Sequence, residues 1–150
     1  MTGDNGSEAQ RSLTLRDYRA LSNLRYALRR FMAFSTVAAQ QAGLPPRQHQ
    51  ALLAIKGKQT DVPMTVGALA ERLLIAPHSA TELVGRLVKA GLVVRGGDAR
   101  DRRKQALTLT DNAEAILQSL TLAHLREIRE IAPLLIDVLP TLDPGRPPPT

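Results

Sequence analysis

The chain has no cysteine and no tryptophan, and its four aromatic residues, Tyr18, Tyr26, Phe31 and Phe34, all fall in one N-terminal stretch. Without thiols there can be no disulfide, no cysteine-ligated zinc or iron–sulfur cluster and no thiol redox switch. With so few aromatics there is no stacking platform for single-stranded nucleic acid, and the core has to be built from Leu, Ile, Val and Ala. Long apolar runs are missing too, so nothing suits a signal segment or a membrane span; a cytoplasmic protein without a membrane partner is expected. There is no glycine-rich phosphate loop and no clustering of histidines with carboxylates, so neither an enzyme nor a cofactor is expected. The three histidines, His49, His78 and His124, belong to separate predicted elements with none at metal-ligand spacing, so no metal site is expected.

What is present is enough apolar material for one domain, 43% of 150 residues, and an uneven charge. The net charge is +6, but residues 1–64 carry nine Lys/Arg against four acids, residues 65–110 eight against four, and residues 111–150 three against six. A polyanionic partner is expected to meet the first two segments rather than the last.

The most informative stretch runs from Thr65 to Thr110. Val66, Leu69, Ala70 and Leu73 fall at helical spacing behind Thr65, which is placed to cap a short helix. A second helix is predicted from Pro77, suited to a first helical position, with Ala80, Leu83, Val84, Leu87 and Val88 as its inward stripe and Gly91 as its stop. The stripe leaves His78, Ser79, Thr81, Glu82, Arg86 and Lys89 facing outward, polar groups of the kinds that meet base edges and phosphates. Ala76, just before that helix, is a poor cap, so its first amides lack an obvious side-chain partner and are open to a phosphate oxygen. Leu92–Arg95 and Gln105–Leu109 read as two strands joined by a loop. From Arg95 to Lys104 there are five basic residues against Asp98 and Asp101, and nothing apolar draws the loop inward. Helix, turn, helix and basic hairpin together predict a winged helix-turn-helix, with the second helix as the reading helix and the hairpin as the wing.

At the level of individual residues the stretch resembles the DNA-binding region of the MarR family of bacterial transcriptional regulators. The likeness is carried by Pro77-His78-Ser79-Ala80-Thr81-Glu82-Leu83-Val84-Gly85-Arg86-Leu87, by the turn Ala90-Gly91-Leu92-Val93, and by Asp98-Ala99-Arg100-Asp101-Arg102-Arg103 followed by Leu107-Thr108-Leu109-Thr110. It extends through the flanking helices, over roughly Leu13 to Leu139. Two positions depart from the usual pattern: Glu82 stands where a basic residue often sits and Gly85 where an aspartate often does, the latter costing the helix about 1 kcal/mol relative to alanine.

The resemblance implies a sequence-specific regulator of double-stranded DNA, expected to act as a homodimeric repressor on a near-palindromic site and to be released by a small aromatic or anionic effector. It implies DNA contacts from His78, Ser79, Thr81, Glu82, Arg86, Lys89, Arg100, Arg102, Arg103 and Lys104, with Asp98 bracing the wing arginines. Tyr18, Tyr26, Phe31 and His49 are candidates for an effector site. The alternative is a winged helix that serves only protein contacts, against which the run Arg100, Arg102, Arg103, Lys104 argues.

The expected fold is therefore mainly α with a small β-wing, a winged helix-turn-helix at 44–110 flanked by dimerisation helices at 13–43 and 111–140 in one domain, with loose tails at 1–12 and 141–150. The first helix is expected over Leu13–Ala42 with Leu21, Leu24, Leu28, Phe31 and Met32 as its apolar face, ended by Gly43-Leu44-Pro45-Pro46. A shorter helix follows over Arg47–Lys56, and Lys58–Pro63 reads as a loop or a brief first strand of the wing sheet. The last helix is expected to open at Thr110 or Asp111 and to use Ala113, Ile116, Leu117, Leu120, Leu125, Ile128 and Ile131. Pro133 is expected to break it and Pro140 to end it. Apolar faces this wide exceed the needs of one small core, which is the sequence's own argument for a second copy.

Overall fold

Thr14 opens the first helix through a reciprocal cap. Its backbone N–H and its hydroxyl both donate to Asp17 Oδ2, at 2.9 and 3.0 Å, and Asp17 N–H donates back to Thr14 Oγ1 at 3.4 Å. The helix so started, α1 (Leu15–Gln41), runs until Gly43 takes a left-handed conformation, φ 74°, and lets Leu44 N–H reach the Ala39 carbonyl at 2.9 Å. α2 (Pro46–Lys56), α3 (Val66–Leu73) and α4 (Pro77–Lys89) follow, then β1 (Val93–Gly96), β2 (Ala106–Leu109) and α5 (Asp111–Leu142). This computed structural model describes residues 13–97 and 104–142, the last two by backbone alone. Among the described residues no helix is long and apolar enough to cross a membrane.

The chain groups into two compact units, one of residues up to Ala33 and from Arg126 onward, the other of Phe34–Leu125. The Phe34–Leu125 unit holds the larger core. Leu52 from α2, Leu69 from α3 and Val84 and Leu87 from α4 are fully buried, and Leu92, Val93 and Leu107 from the hairpin and Ala113, Leu117 and Leu120 from α5 join them. Thr65 caps α3 by accepting from Ala68 N–H at 3.2 Å. Thr110 caps α5 by accepting from Ala113 N–H at 3.3 Å, while its hydroxyl donates to the Gly91 carbonyl at 2.7 Å, tying the start of α5 to the end of α4. Gly91, at φ 72°, makes that end possible.

The hairpin pairs Val93 with Leu109 and Gly96 with Ala106, antiparallel, one residue off the expected strand limits. Lys58–Pro63 forms a bent loop, with no strand of its own; the one ladder-like bond there comes just afterwards, from Leu107 N–H to the Met64 carbonyl at 2.8 Å.

The other unit is built differently. Its buried side chains are Ala20 and Ala27 of α1 and Ile131 and Val138 of α5, and Arg30 Nε pairs with Glu127 Oε1 at 3.1 Å. Leu21, Leu28 and Met32 of the expected apolar face are each more than half exposed, as are Ile136 and Leu139. The apolar stripe of α1 is real, but within one chain its small residues are the ones covered. Leu125 and Ile128 of α5 and Val88 of α4 are also exposed rather than buried, Val88 because it lies at the edge of the stripe in the last turn.

The expected break at Pro133 does not occur, nor does the stop at Pro140: α5 continues through both to Leu142. Each proline removes one N–H, leaving the carbonyls of Arg129 and Ile136 without an intrahelical donor. Both carbonyls belong to exposed residues, and Pro133 is itself exposed, so water can supply the missing bond and the helix continues.

Candidate nucleic-acid interface

α4 starts without a side-chain cap: Ala76 has none to offer, and Pro77 occupies the first helical position. The amides of its first turn are therefore free to meet an anion. The buried side of the helix, Ala80, Leu83, Val84 and Leu87, fixes its roll, so that His78, Thr81, Glu82, Arg86 and Lys89 stand exposed while Ser79 is half-buried. Thr81 Oγ1 donates to the Pro77 carbonyl at 3.1 Å, leaving its lone pairs and methyl group outward. Among the described residues neither Arg86 nor Glu82 forms an ion pair, so the intrahelical pair that their spacing permits is not made. Lys104, just before β2, is exposed. Asp98, Arg100, Arg102 and Arg103 lie outside the described residues, as do the expected tails apart from Thr141 and Leu142.

Arg95 was counted in the wing's charge but not among the contacting residues. It lies on β1, half-buried, and its Nε is buried without a hydrogen-bond partner. A guanidinium N–H held in that state is unfavourable until an acceptor arrives. Sequence spacing gives no hint of this, because it depends on how deep the hairpin's root sits.

The four candidate effector residues divide between the units. Tyr18, Tyr26 and Phe31 belong to the unit built from the chain's two ends, the tyrosines exposed and Phe31 half-buried; His49 is buried in the other. A groove of about 620 Å³ along α5, lined by Lys56, Asp111, Glu114, Leu117, Gln118 and Leu122, touches none of the four. It is crossed by an ion pair from Lys56 Nζ to Glu114 Oε1 at 2.8 Å.

His49 has a neighbour that its place in the sequence hid. Its ring lies 4.8 Å, centroid to centroid, from that of His124, whose other side meets the edge of Phe34 at 5.2 Å. His124 Nδ1 is 2.6 Å from the Leu120 carbonyl, an acceptor only, so this nitrogen carries the proton; in the neutral ring Nε2 then accepts from the Ser35 hydroxyl at 2.9 Å. His49 Nδ1 is buried with no partner. Burial, and after it the positive charge that His124 can carry, hold His49 below the ordinary histidine value of 6.5. The two histidines belong to different elements, as expected, but the fold brings them into contact; among the described residues no group of three or more metal-ligating side chains forms.

The profile of the MarR family matches residues 42–104, from just after α1 to just before β2. Over that stretch the chain is similar to the MarR family. That is a family of transcriptional regulators rather than enzymes. A further relative is the transcriptional activatory protein BadR of Rhodopseudomonas palustris, 31% identical over 91 residues, which are 61% of this chain and 52% of BadR. The chain thus spans about half the length of that curated relative. Among solved structures, Staphylococcus aureus MarR in complex with salicylate and kanamycin superimposes with a TM-score of 0.65 at 17% identity, over 75% of this chain and 73% of that one. A variant of Staphylococcus aureus MepR bound to an oligodeoxyribonucleotide gives 0.57 at 20% identity, over 85% and 86%. These two likenesses are of fold.

Proposed function

We propose that this protein regulates transcription by binding double-stranded DNA as a homodimer, with α4 in the major groove and the wing against the adjacent backbone and minor groove. The observation that carries the reading is the division of α4: four apolar residues lock one side into the core, while His78, Thr81, Glu82, Arg86 and Lys89 stand exposed on the side away from it, with a basic hairpin next in the chain. His78, Ser79, Thr81 and Glu82 are assigned to bases and Arg86 and Lys89 to phosphate or guanine. Arg100, Arg102, Arg103 and Lys104 of the wing supply most of the electrostatic affinity, and Asp98 braces them. Arg95 Nε, buried and unpaired, is completed by a phosphate oxygen. That MepR is solved with an oligodeoxyribonucleotide supports this use of the fold.

The dimer is supported by the exposed Leu21, Leu28, Met32, Ile136 and Leu139. A two-fold pair sets two reading helices about 34 Å apart, one turn of B-DNA, and so calls for a near-palindromic site. Control is proposed to be repression relieved by a small aromatic or anionic compound, in line with the salicylate carried by Staphylococcus aureus MarR; BadR is named for activation, so a reporter gene is the measure of sign.

The test is fluorescence anisotropy of the full chain on the intergenic DNA beside its own gene and on a scrambled duplex, from ~50 to 200 mM salt. A preference of about 1000-fold with a steep salt slope is expected for a specific regulator. Equal, weak binding to both duplexes would overturn the reading in favour of a winged helix that binds protein. Salicylate in the same cell is expected to lower the anisotropy.

A further inference from the structure

Leu74 is, among the described residues, the one non-glycine with a positive φ, 56°, and its side chain is 92% exposed. It closes α3 in the left-handed conformation, where its N–H reaches the Glu71 carbonyl at 3.2 Å and Ile75 N–H reaches Ala70 at 3.0 Å. Glycine or asparagine fills such a position without strain, and leucine, whose Cβ crowds the backbone there, is a poor choice for it. It is a poor choice a second time because a nearly bare leucine gains nothing from burial in this chain.

Two residues later α4 begins at the uncapped Ala76. Within a few residues of the helix-turn-helix the chain therefore keeps a strained backbone, a fully wetted apolar side chain and a set of unmatched amides. The last two are relieved if one surface covers the turn. Three peptide units separate Leu74 from Pro77, so their Cα atoms are at most about 11 Å apart, and a leucine side chain reaches the same groove that the start of α4 would enter.

We propose that Leu74 is a specificity-determining residue of the DNA interface, making an apolar contact with the C5-methyl group of a thymine at the edge of the site. The inference rests on the DNA-binding reading above and adds to it a base preference supplied by the turn that precedes α4. Thymine is the base that offers an apolar group in the major groove, so the chemistry of the contact selects it.

The experiment uses the full chain and a duplex recovered from a randomised pool by the wild-type protein, together with the same duplex in which the thymine at the edge of the site is replaced by deoxyuridine. Leu74→Gly and Leu74→Asn are compared with wild type by anisotropy and by thermal unfolding. Both variants are expected to melt higher, since the left-handed strain is gone, and to bind the thymine duplex about fourfold more weakly, the equivalent of one lost methyl burial. Wild type is expected to lose about the same factor on the deoxyuridine duplex and the variants to lose none. If the variants bind both duplexes as wild type does, Leu74 makes no such contact and the regulator reading stands. If the pool yields no duplex at all, the regulator reading fails and this assignment fails with it.

Discussion

The two units of this chain differ in how much of their large apolar surface they cover. In the Phe34–Leu125 unit the covered residues are large, Leu52, Leu69, Val84 and Leu87, and the exposed face of its reading helix is polar. In the other unit Ala20, Ala27, Ile131 and Val138 are covered while Leu21, Leu28 and Met32 are about half exposed. A hydrophobic stripe is satisfied within the chain in the first case and left over in the second. Large apolar area left exposed by design marks a surface for another molecule, and where it lies along long terminal helices a second copy is the economical occupant. The difference teaches that the winged helix is self-sufficient and that the helical ends are not.

The largest effect that would test this contrast is in the core. Leu87→Ala is expected to cost about 3 kcal/mol in urea unfolding, within the range for a fully buried leucine; a loss below about 1 kcal/mol would mean that the unit is not the stable centre described. Leu28→Glu, by contrast, is expected to leave monomer unfolding nearly unchanged and to weaken self-association about 30-fold in sedimentation, the equivalent of one leucine kept in water. Equal molecular mass for variant and wild type at every concentration would remove α1 from the dimer.

Thr110→Val sharpens the view of how α4, the hairpin and α5 are joined. It deletes both the cap on Ala113 and the bond to the Gly91 carbonyl, and about 1 to 2 kcal/mol of stability should go with them, read from the thermal midpoint. The smallest effect concerns His49. Its neutral form is favoured in the folded state, so the unfolded chain takes up the proton first as pH falls. The stability that this contributes is complete above the ordinary value near 6.5 and is lost as pH drops below it. The thermal midpoint of wild type should fall relative to His49→Gln on going from pH 7.5 to 5.5; a constant gap between the two proteins across that range would show that His49 does not titrate there.

Legibility along the chain followed the range over which each feature is decided. The caps at Thr65 and Thr110, the glycine stop at Gly91, the stripe of α4 and the two strands are local, set by neighbours within a turn or two, and the sequence carries them in plain form. The effects of Pro133 and Pro140 were not legible. A proline's cost depends on whether water can reach the carbonyl four residues back, and that is a matter of exposure. Nor was the contact between His49 and His124, since the residues are far apart in the chain and meet only because α2 and α5 share a core. Leu74 looked like one more apolar residue between two helices, and its left-handed backbone appears only once the turn is closed.

By itself the sequence determined which segments become helices and hairpin, where the positive charge lies, and the family that the winged helix resembles, because periodicity, capping and motif spacing act over a few residues. Tertiary structure alone decided which apolar residues are covered: burial depends on what packs across from a face, and along the terminal helices one chain covers Ala20, Ala27, Ile131 and Val138 and leaves Leu21, Leu28, Ile136 and Leu139 to meet something else.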